Sequence, residues 1–176
     1  AGTMTGAGSR LFARLRRLQL GRELARIVRH GPPGTFLDVG CGPGDFLSVL
    51  TRRGFRGVGA DVEPRPPAAL GDAGDIPYVQ FDFDRYEFQG LGGPGPYTVI
   101  LRHVLEHVRD PHAFLTSLRR HGAGQFYIVV PNSASAERRL LGKYWYLWDP
   151  PRHLWHFDRQ SLDRQCDRVG LLLVEW

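Results

Sequence analysis

A glycine-rich turn between two short apolar segments constrains this chain more than any other feature. The first apolar segment ends in the pattern D-x-G-x-G-x-G, which runs from Asp38 to Gly44, and a helical pattern of apolar residues follows at once. The second apolar segment, 57–60, leads directly into Asp61. This order of strand, glycine turn, helix, strand and acid is typical of a nucleotide-binding βαβ unit, in which glycines let the backbone approach a ligand. We therefore predict a cofactor site at this turn, with a purely structural tight turn as the alternative.

The spacing of the glycines distinguishes between cofactors. A dinucleotide site has the pattern G-x-G-x-x-G, in which backbone amides and a helix N-terminus hold a pyrophosphate. Here Asp45 stands where the third dinucleotide glycine would be, and its carboxylate would repel a pyrophosphate. The run from Asp38 to Gly44 instead resembles the first motif of class I methyltransferases, which use S-adenosylmethionine. That cofactor carries a sulfonium and an ammonium group, which nearby carboxylates stabilise.

The rest of the chain predicts strands that alternate with helices. We predict six strands, at 36–39, 57–60, 78–81, 98–101, 126–130 and 171–174. Asp110-Pro111 is a clear helix start, because Asp caps a helix and Pro fits its first position. Asp158 can cap the last helix, which would end at Gly170. Such alternation implies an α/β fold with a doubly wound, mostly parallel sheet that helices cover on both faces.

Three further motifs resemble the branch that contains ubiquinone-biosynthesis O-methyltransferases and natural-product methyltransferases. They are Arg102–Pro111 after the fourth strand, Val130-Pro131-Asn132 after the fifth, and Pro151–Phe157 before the last helix. Four motifs in the family's order are far more specific than any one of them. The resemblance implies a Rossmann-like methyltransferase fold, which normally closes its sheet with a seventh, antiparallel strand. Six strands are visible here and the seventh is missing, so either the sheet edge is left open or the sequence is truncated.

The resemblance also assigns cofactor contacts by position. It implies that S-adenosylmethionine is bound and S-adenosylhomocysteine is the product. The implied contacts are Asp38, Gly40, Cys41, Gly42 and Gly44 for the methionine part, Asp61 for the ribose, Val62, Asp82 and Phe83 for the adenine, and Arg102 and His103 near the sulfonium. Asp61 has the most specific task, because it stands at the tip of the second strand. Asp82 has a plain alternative as a solvated carboxylate at a strand end, and Cys41 is expected to be a small packing residue rather than a nucleophile.

The connection after the fifth strand predicts the acceptor side of the site. It lies in an insertion at about 132–157 and contains the densest aromatic cluster of the chain. In open α/β sheets ligands bind beyond the carboxyl ends of the strands, so this insertion should overhang the pocket. We expect Tyr144, Trp145 and Trp148 to bind a planar or hydrophobic acceptor, or else to close a core under the loop.

Histidines supply the candidate proton acceptors. A base is needed only if the acceptor must lose a proton, and histidine suits that task near neutral pH. His153 and His107 are the candidate catalytic residues, with His156 as a further candidate, and a hydrogen bond that pins the aromatic loop is the alternative role for His153. His103 and His107 also form part of an H-x-x-E-H pattern, which in zinc proteases lies on a helix. Asp110-Pro111 follows too soon for such a helix.

A metal is not expected at this pattern. Ubiquinone O-methyltransferases carry Glu-x-x-Glu-His at this place, associated with magnesium, and His103 replaces the first Glu here. Nitrogen is a poor ligand for Mg²⁺, so we predict a metal-free site. Asp149-Pro150-Pro151-Arg152 resembles the D-P-P motif of DNA amino-methyltransferases, but it lacks the aromatic residue that follows there and comes after the fifth strand. We therefore expect a small-molecule acceptor and no nucleic acid.

The chain opens with a basic segment, 1–30, in front of the methyltransferase domain, 31–176. Its leucines recur at helical spacing between arginines, and Gly21 is expected to bend or split the helix. We expect the apolar side to pack on the domain and the arginines to be solvated, with a membrane surface or RNA as alternative partners. The formal net charge is +5, but the arginines are otherwise spread along the chain.

Composition bounds the remaining possibilities. No apolar run is long enough to span a membrane, and the two isolated cysteines make a reducing cytoplasm the default. The oligomeric state is left open by the sequence. The leading functional hypothesis is methyl transfer to an oxygen or nitrogen atom of a small molecule. A methyltransferase-like binding module without catalysis and an NAD-dependent Rossmann oxidoreductase are the alternatives.

Overall fold

The computed structural model describes residues 7–31, 34–64, 66, 76–91 and 95–176, with side chains from residue 11 onward. The helices are α1 (Ala7–Arg29), α2 (Asp45–Arg52), α3 (Pro111–Arg120), α4 (Ala136–Leu141) and α5 (Arg159–Arg168). The strands are β1 (Thr35–Val39), β2 (Gly57–Asp61), β3 (Tyr78–Asp82), β4 (Glu87–Gln89), β5 (Tyr97–Arg102) and β6 (Ala123–Val129). Two short 3₁₀ turns, Gly142–Tyr144 and Tyr146–Trp148, follow α4. Within these ranges, no helix has the length and apolar character that crossing a bilayer requires.

The strands form one six-stranded sheet in the order β4-β3-β2-β1-β5-β6. Every neighbouring pair is parallel except β3 and β4, which are antiparallel. The chain proceeds from β1 outward through β2 and β3, then returns to the other side of β1 with β5 and β6. The strand order therefore reverses beside β1, and the carboxyl edge at such a reversal is where α/β sheets bind ligands. The predicted α/β fold with a doubly wound, mostly parallel sheet is confirmed.

One of the six predicted strands is absent, and a segment that was not predicted forms a strand instead. Residues 171–174 form no strand, because the N–H of Leu171 donates to the carbonyl of Cys166 at the end of α5 (2.9 Å) and Leu172 is 85% exposed. The strand that the sequence did not predict is β4, which folds back on β3 through a tight turn. Phe88 on β4 packs on Phe81 of β3 with ring centroids 4.6 Å apart, so one aromatic pair stabilises this short hairpin.

Two apolar layers cover the sheet. On one face, Leu20, Leu24 and Ile27 of α1 join the apolar face of α2. On the other, Phe114 and Leu115 of α3 pack with α5. These layers bury both faces of β1 and β5, which explains their continuous apolar sequences.

Helix α1 is continuous through Gly21, contrary to the predicted bend. Gly21 is buried, and the guanidinium of Arg53 donates to its carbonyl oxygen (3.2 Å). The expected packing of the apolar side is only half correct. The second half of the helix buries its leucines, whereas four apolar side chains of the first half are more than half exposed: Leu11, Phe12, Leu15 and Leu18.

Candidate functional site

The glycine turn after β1 is tied to the tip of β2. The N–H groups of Gly40 and Cys41 both donate to the carbonyl oxygen of Ala60, at 2.7 and 3.2 Å. The N–H of Gly42 donates to Oδ2 of Asp61 (2.7 Å), and the N–H of Val62 donates to Oδ1 of the same carboxylate (2.8 Å). Asp61 is thereby fixed against the turn at which the sequence pattern predicted a cofactor, and its contact with the ribose stays a prediction.

Two glycines of the turn are required by its geometry. Gly40 has φ +71°, and a Cβ there would lie 2.5 Å from Cγ2 of Val104, just after β5. Gly42 has φ +50°, and a Cβ there would meet no atom within 4 Å. The turn is therefore packed tightly against the segment after β5 on one side and is open on the other. A ligand can approach the backbone from the open side, at Gly42.

A buried acid lies beneath the turn. Asp38 is only 3% exposed, and burial raises the pKa of its carboxyl to about 7, although the positive charge of Arg102 opposes that rise. Arg102 pairs with Glu23 of α1, with Nε 3.1 Å from the carboxylate, and its guanidinium lies 5.9 Å from the ring centroid of Phe46. Arg102 thus links α1 to the floor of the site. Sequence reasoning missed Glu23, because nothing in the pattern relates a helix residue to a strand tip 79 positions later.

Cys41 fills space in this turn, as expected. Its side chain is buried, and burial together with the negative charges of Asp38 and Asp61 raises the pKa of its thiol to about 12. The thiol therefore stays protonated near neutral pH, which makes it a poor nucleophile.

Asp45, the residue that replaces a dinucleotide glycine, has a partner of its own. The Nε of Arg16 in α1 lies 2.5 Å from Oδ2 of Asp45. Asp45 also stands in the first turn of α2, next to the N-cap Gly44, where a negative charge stabilises the helix dipole. This carboxylate is engaged locally, and Arg16 was not among the residues that the sequence singled out for the site.

The residues predicted for the adenine side have mostly structural contacts. Oδ1 of Asp82 accepts from the N–H groups of Asp84 and Arg85 (2.9 and 3.0 Å), which closes the turn into β4. Phe83 packs edge-on against Phe81 (4.6 Å). Val62 is 51% exposed beside Asp61. Of the three predicted adenine contacts, only Val62 offers an exposed apolar surface, and the adenine role of the other two stays a prediction.

His103 stands at the tip of β5 in an unusual conformation. Its φ is +56°, which is rare for a residue other than glycine and is often found at functional sites. Its side chain is 53% exposed, and Nδ1 lies 3.3 Å from Oε1 of Glu106, which is fully buried. Oε2 of Glu106 has no hydrogen-bond partner among the described residues. An exposed imidazole with a buried carboxylate behind it is a familiar arrangement for proton transfer.

His107 and His153 lie together beside Glu106, and we call these three residues the imidazole cluster. Their ligand atoms lie within 4.8 Å of one another, and the two rings are 4.7 Å apart. His107 Nδ1 bonds to the carbonyl of Arg152 (2.9 Å), and His153 Nδ1 bonds to the carbonyl of Leu147 (2.8 Å). These carbonyls can only accept, so both Nδ1 atoms are donors and both Nε2 atoms are left as acceptors. Two imidazoles and one carboxylate can hold a transition metal but suit Mg²⁺ poorly.

The contacts of His153 match a loop-pinning role. Its side chain is 7% exposed, and Nε2 lies 3.8 Å from a carboxylate oxygen of Asp149. Together with the bond to Leu147, this holds the aromatic loop against the segment before α5. His156, the further candidate, lies 4.7 Å from the ring of Trp148, and burial and the neighbouring His153 lower its pKa.

The three aromatic residues predicted for the acceptor differ in exposure. Trp145 is 2% exposed, and its indole N–H donates to Glu137 of α4 (3.2 Å). Trp148 donates to the carbonyl of Gly142 (2.9 Å) and packs edge-on against Trp145. Tyr144 is 78% exposed. The insertion therefore has a small tryptophan core, and Tyr144 is the most exposed member of the predicted set, with the ammonium of Lys143 5.1 Å from its ring centroid.

Comparison with known proteins gives one consistent result. A family model described as a methyltransferase domain matches residues 12–175. The chain is similar to the ubiquinone biosynthesis O-methyltransferase of Cereibacter sphaeroides, with 33% identity over 160 residues that cover 80% of the chain and 65% of the relative. The corresponding protein of Caulobacter vibrioides is 28% identical over 152 residues, which cover 76% of the chain and 59% of the relative. The chain thus spans about 60 to 65% of the length of these relatives.

Solved structures share the fold at lower identity. Magnesium protoporphyrin IX methyltransferase from Synechocystis, with bound SAH, has a TM-score of 0.70 at 18% identity; the match covers 99% of the chain and 82% of that protein. A methyltransferase of calicheamicin biosynthesis in its SAH-bound form has a TM-score of 0.62 at 24% identity, with coverage of 92% and 50%. These likenesses establish a Rossmann-like methyltransferase fold.

Proposed function

This chain belongs to the methyltransferase-domain family, and from that premise we propose that it is an enzyme that transfers a methyl group from S-adenosylmethionine to an oxygen or nitrogen atom of a small molecule. The observation that carries the proposal is the carboxyl edge of β1 and β2. There an open glycine turn, the fixed carboxylate of Asp61 and the buried carboxyl of Asp38 converge. The product would be S-adenosylhomocysteine.

The residues around the turn fit this cofactor. A carboxylate offers about four acceptor positions, and two backbone N–H groups occupy one position on each oxygen of Asp61. Both oxygens therefore keep a position for a ribose hydroxyl. The space in front of Gly42 is open, so the backbone can approach the ligand. Asp38 adds a second acid beneath the turn, and its ionised form favours a cofactor that carries a sulfonium and an ammonium over one that carries a pyrophosphate.

S-adenosylmethionine, when bound, supplies a methyl group on positively charged sulfur, which makes the methyl carbon electrophilic. The chain's own task is then to align the acceptor, keep water out and receive a proton from acceptors that carry one. The tryptophan core of the insertion holds the loop that would cover the acceptor, and Tyr144 has the exposed ring to stack on it.

The sequence-based candidates for the proton acceptor were His153 and His107, with His156 as a further candidate, and the contacts favour a different histidine. His153 is buried and holds the loop, so a proton from an acceptor would not reach it easily. His107 keeps Nε2 free and is a possible second acceptor. We infer that His103 is the better base, because Glu106 can accept from its Nδ1–H and so leaves Nε2 as the acceptor.

Calorimetry with S-adenosylhomocysteine tests the cofactor site without knowledge of the acceptor. We expect saturable binding that Asp61→Asn weakens about tenfold or more, because the amide can accept on only one side. Asp84→Asn is the matched control, since Asp84 is a 77% exposed carboxylate near the same edge of the sheet. Absence of binding by the intact protein, or saturable binding of NAD(H) instead, would refute the proposal.

A labelled-methyl assay over a panel of phenols and amines tests the reaction. With an acceptor in hand, His103→Asn should lower kcat for a phenol about 10²-fold or more. Asn tolerates the left-handed backbone of this position, so the fold is kept. His107→Asn and His153→Asn are the comparison variants. If His103→Asn retains full kcat while His107→Asn loses it, the base is misassigned; if cofactor binds but no acceptor in a broad panel reacts, the chain is a binding module.

We also propose that the enzyme works in a reducing compartment such as the cytoplasm. Both cysteines are free thiols in the structure, which is usual for proteins of that compartment. A small-molecule acceptor, rather than nucleic acid, is supported by the lack of an aromatic residue after Asp149-Pro150-Pro151.

A further inference from the structure

Helix α1 carries two apolar stripes that face in opposite directions. Leu20, Leu24 and Ile27 are buried against the sheet, at 1 to 3% exposure. Leu11, Leu15 and Leu18, spaced four and three residues apart, share another face and are 55 to 58% exposed. Leu20 lies nine residues after Leu11, and at about 100° per residue the two side chains leave the helix on opposite sides. The stripe formed by Leu11, Leu15 and Leu18 is therefore not part of the core of this domain.

The outward stripe continues into arginines. Arg22 follows Leu18 by four residues, and Arg29 follows Arg22 by seven, so both lie on the same outward face, and both are exposed. Phe12, which is 66% exposed, lies to one side of the stripe, and the exposed Arg14 lies to the other. The outward face thus combines an apolar end with a basic end. Apolar side chains that can insert and arginines that can reach anionic headgroups are the two contributions by which helices bind a membrane surface.

The charges around this face select among possible occupants. No residue from Leu11 to Arg22 is acidic, and Glu23 is already paired with Arg102. A second copy of the same helix would bring arginines against arginines with no acid of this face to offset them. Anionic lipid offers both partners that the face lacks, since acyl chains receive the leucines and headgroup phosphates receive the guanidinium groups.

We propose that the outward face of α1 binds an anionic lipid surface, with the leucine stripe inserted and the arginines on the headgroups. The buried stripe and the Arg16–Asp45 pair keep the helix attached to the domain during this contact. The carboxyl edge of the sheet, where Asp45 begins α2, would then lie close to the bilayer. This inference does not depend on the proposed methyl transfer.

Vesicle flotation with the full chain tests the proposal. We expect the protein to float with vesicles of equimolar phosphatidylcholine and phosphatidylglycerol and to stay behind with phosphatidylcholine alone. Leu15→Gln with Leu18→Gln should reduce the bound fraction about tenfold, because the apolar area that drives insertion is removed. Leu172→Gln with Val174→Gln is the matched control, since both are exposed apolar residues outside the helix, and it should bind like the wild type.

A second pair of variants tests the basic end. Arg22→Gln with Arg29→Gln should weaken binding to anionic vesicles and make that binding less dependent on salt. Arg159→Gln with Arg168→Gln is the control, because it removes the same charge from exposed positions of α5 and should leave vesicle binding unchanged. All changed side chains are exposed, and unchanged circular dichroism verifies that the variants fold.

Any of the following results would overturn the proposal. They are absence of flotation with anionic vesicles, an equal loss in the control pairs, and a wild-type dimer that the leucine variant converts to a monomer. Binding of an RNA oligonucleotide in preference to vesicles would also overturn it.

Discussion

Asp38 gives the most quantitative prediction, because a buried acid makes stability depend on pH. Its pKa is about 7 in the folded protein against an ordinary value of 3.8, and burial is the main cause. Between these two values the native state keeps a proton that the unfolded chain has released. Stability must therefore fall as the pH rises through this window and level off above it. At 1.36 kcal/mol per pKa unit, ionising the buried carboxyl costs about 4 kcal/mol in the cofactor-free protein above neutral pH.

The variant Asp38→Asn removes the titration while keeping the size of the side chain. Urea unfolding of the wild type and the variant, followed by circular dichroism from about pH 5 to about pH 8, should show the variant gaining about 3 kcal/mol relative to the wild type. Asp84→Asn is the control. Because the carboxylate of Asp84 is exposed, the difference in the free energy of unfolding between this variant and the wild type should not change with pH. Comparison with the variant cancels the contributions of all other titrating groups.

The reasoning would be refuted if the free energies of unfolding of the wild type and of Asp38→Asn differed by the same amount at every pH in this range. It would mean that Asp38 is already ionised at pH 5, stabilised by Arg102 more than burial destabilises it. Arg102→Gln would then be expected to restore the pH dependence. If neither Asp38→Asn nor Arg102→Gln changes the pH dependence of the free energy of unfolding, the buried carboxyl does not control stability.

Three further outcomes follow from the same site. Because a cation favours the ionised form of Asp38, binding of S-adenosylmethionine near pH 7 should release protons. Binding of S-adenosylhomocysteine, whose sulfur is uncharged, should release fewer protons. Calorimetry in buffers of different ionisation enthalpy measures the number of protons released. Gly40→Ala should destabilise the protein by roughly 1–3 kcal/mol in urea unfolding, because φ is positive and Val104 blocks the methyl group; Gly124→Ala, where a Cβ meets nothing within 4 Å, should be nearly neutral. Chelators should leave methyl transfer unchanged, and a rate that falls and returns with added Zn²⁺ would instead identify the imidazole cluster as a metal site.

The sequence predicted the glycine turn and Asp61 at one edge of the sheet because local patterns determine both. The glycine turn and Asp61 lie within one βαβ unit, so spacing alone brings them together. Residues 171–174 were misassigned for the opposite reason. An apolar run without a clear period is compatible with a strand, but whether it pairs depends on the chain's path, and here the N–H of Leu171 is taken by the end of α5. β4 was missed because it has only three residues and one apolar side chain to reveal it.

The contacts of α1 show a different limit. Periodicity placed its leucines on a helix, and it could not tell which of two opposite stripes faces the domain. That depends on Glu23 meeting Arg102 and on Arg16 meeting Asp45, and both pairs join residues far apart in sequence. Glu106 was visible within the H-x-x-E-H pattern, but its complete burial behind His103 emerged only from the fold.

The preference for a cationic cofactor holds, but its physical basis differs from the one that the sequence suggested. Asp45 was expected to repel a pyrophosphate, yet Arg16 lies against its carboxylate and offsets much of that charge. What remains is positional. Asp45 already occupies the first turn of α2, so a pyrophosphate would have to displace it from the helix N-terminus and from Arg16. The net negative field at the turn comes instead from Asp61 and, when ionised, from Asp38. Asp45→Gly alone should therefore not create a dinucleotide site, because Asp38, when ionised, would still lie beneath the bound phosphates; Asp61 would not oppose such a site, since an acid at this strand tip also binds the ribose of a dinucleotide.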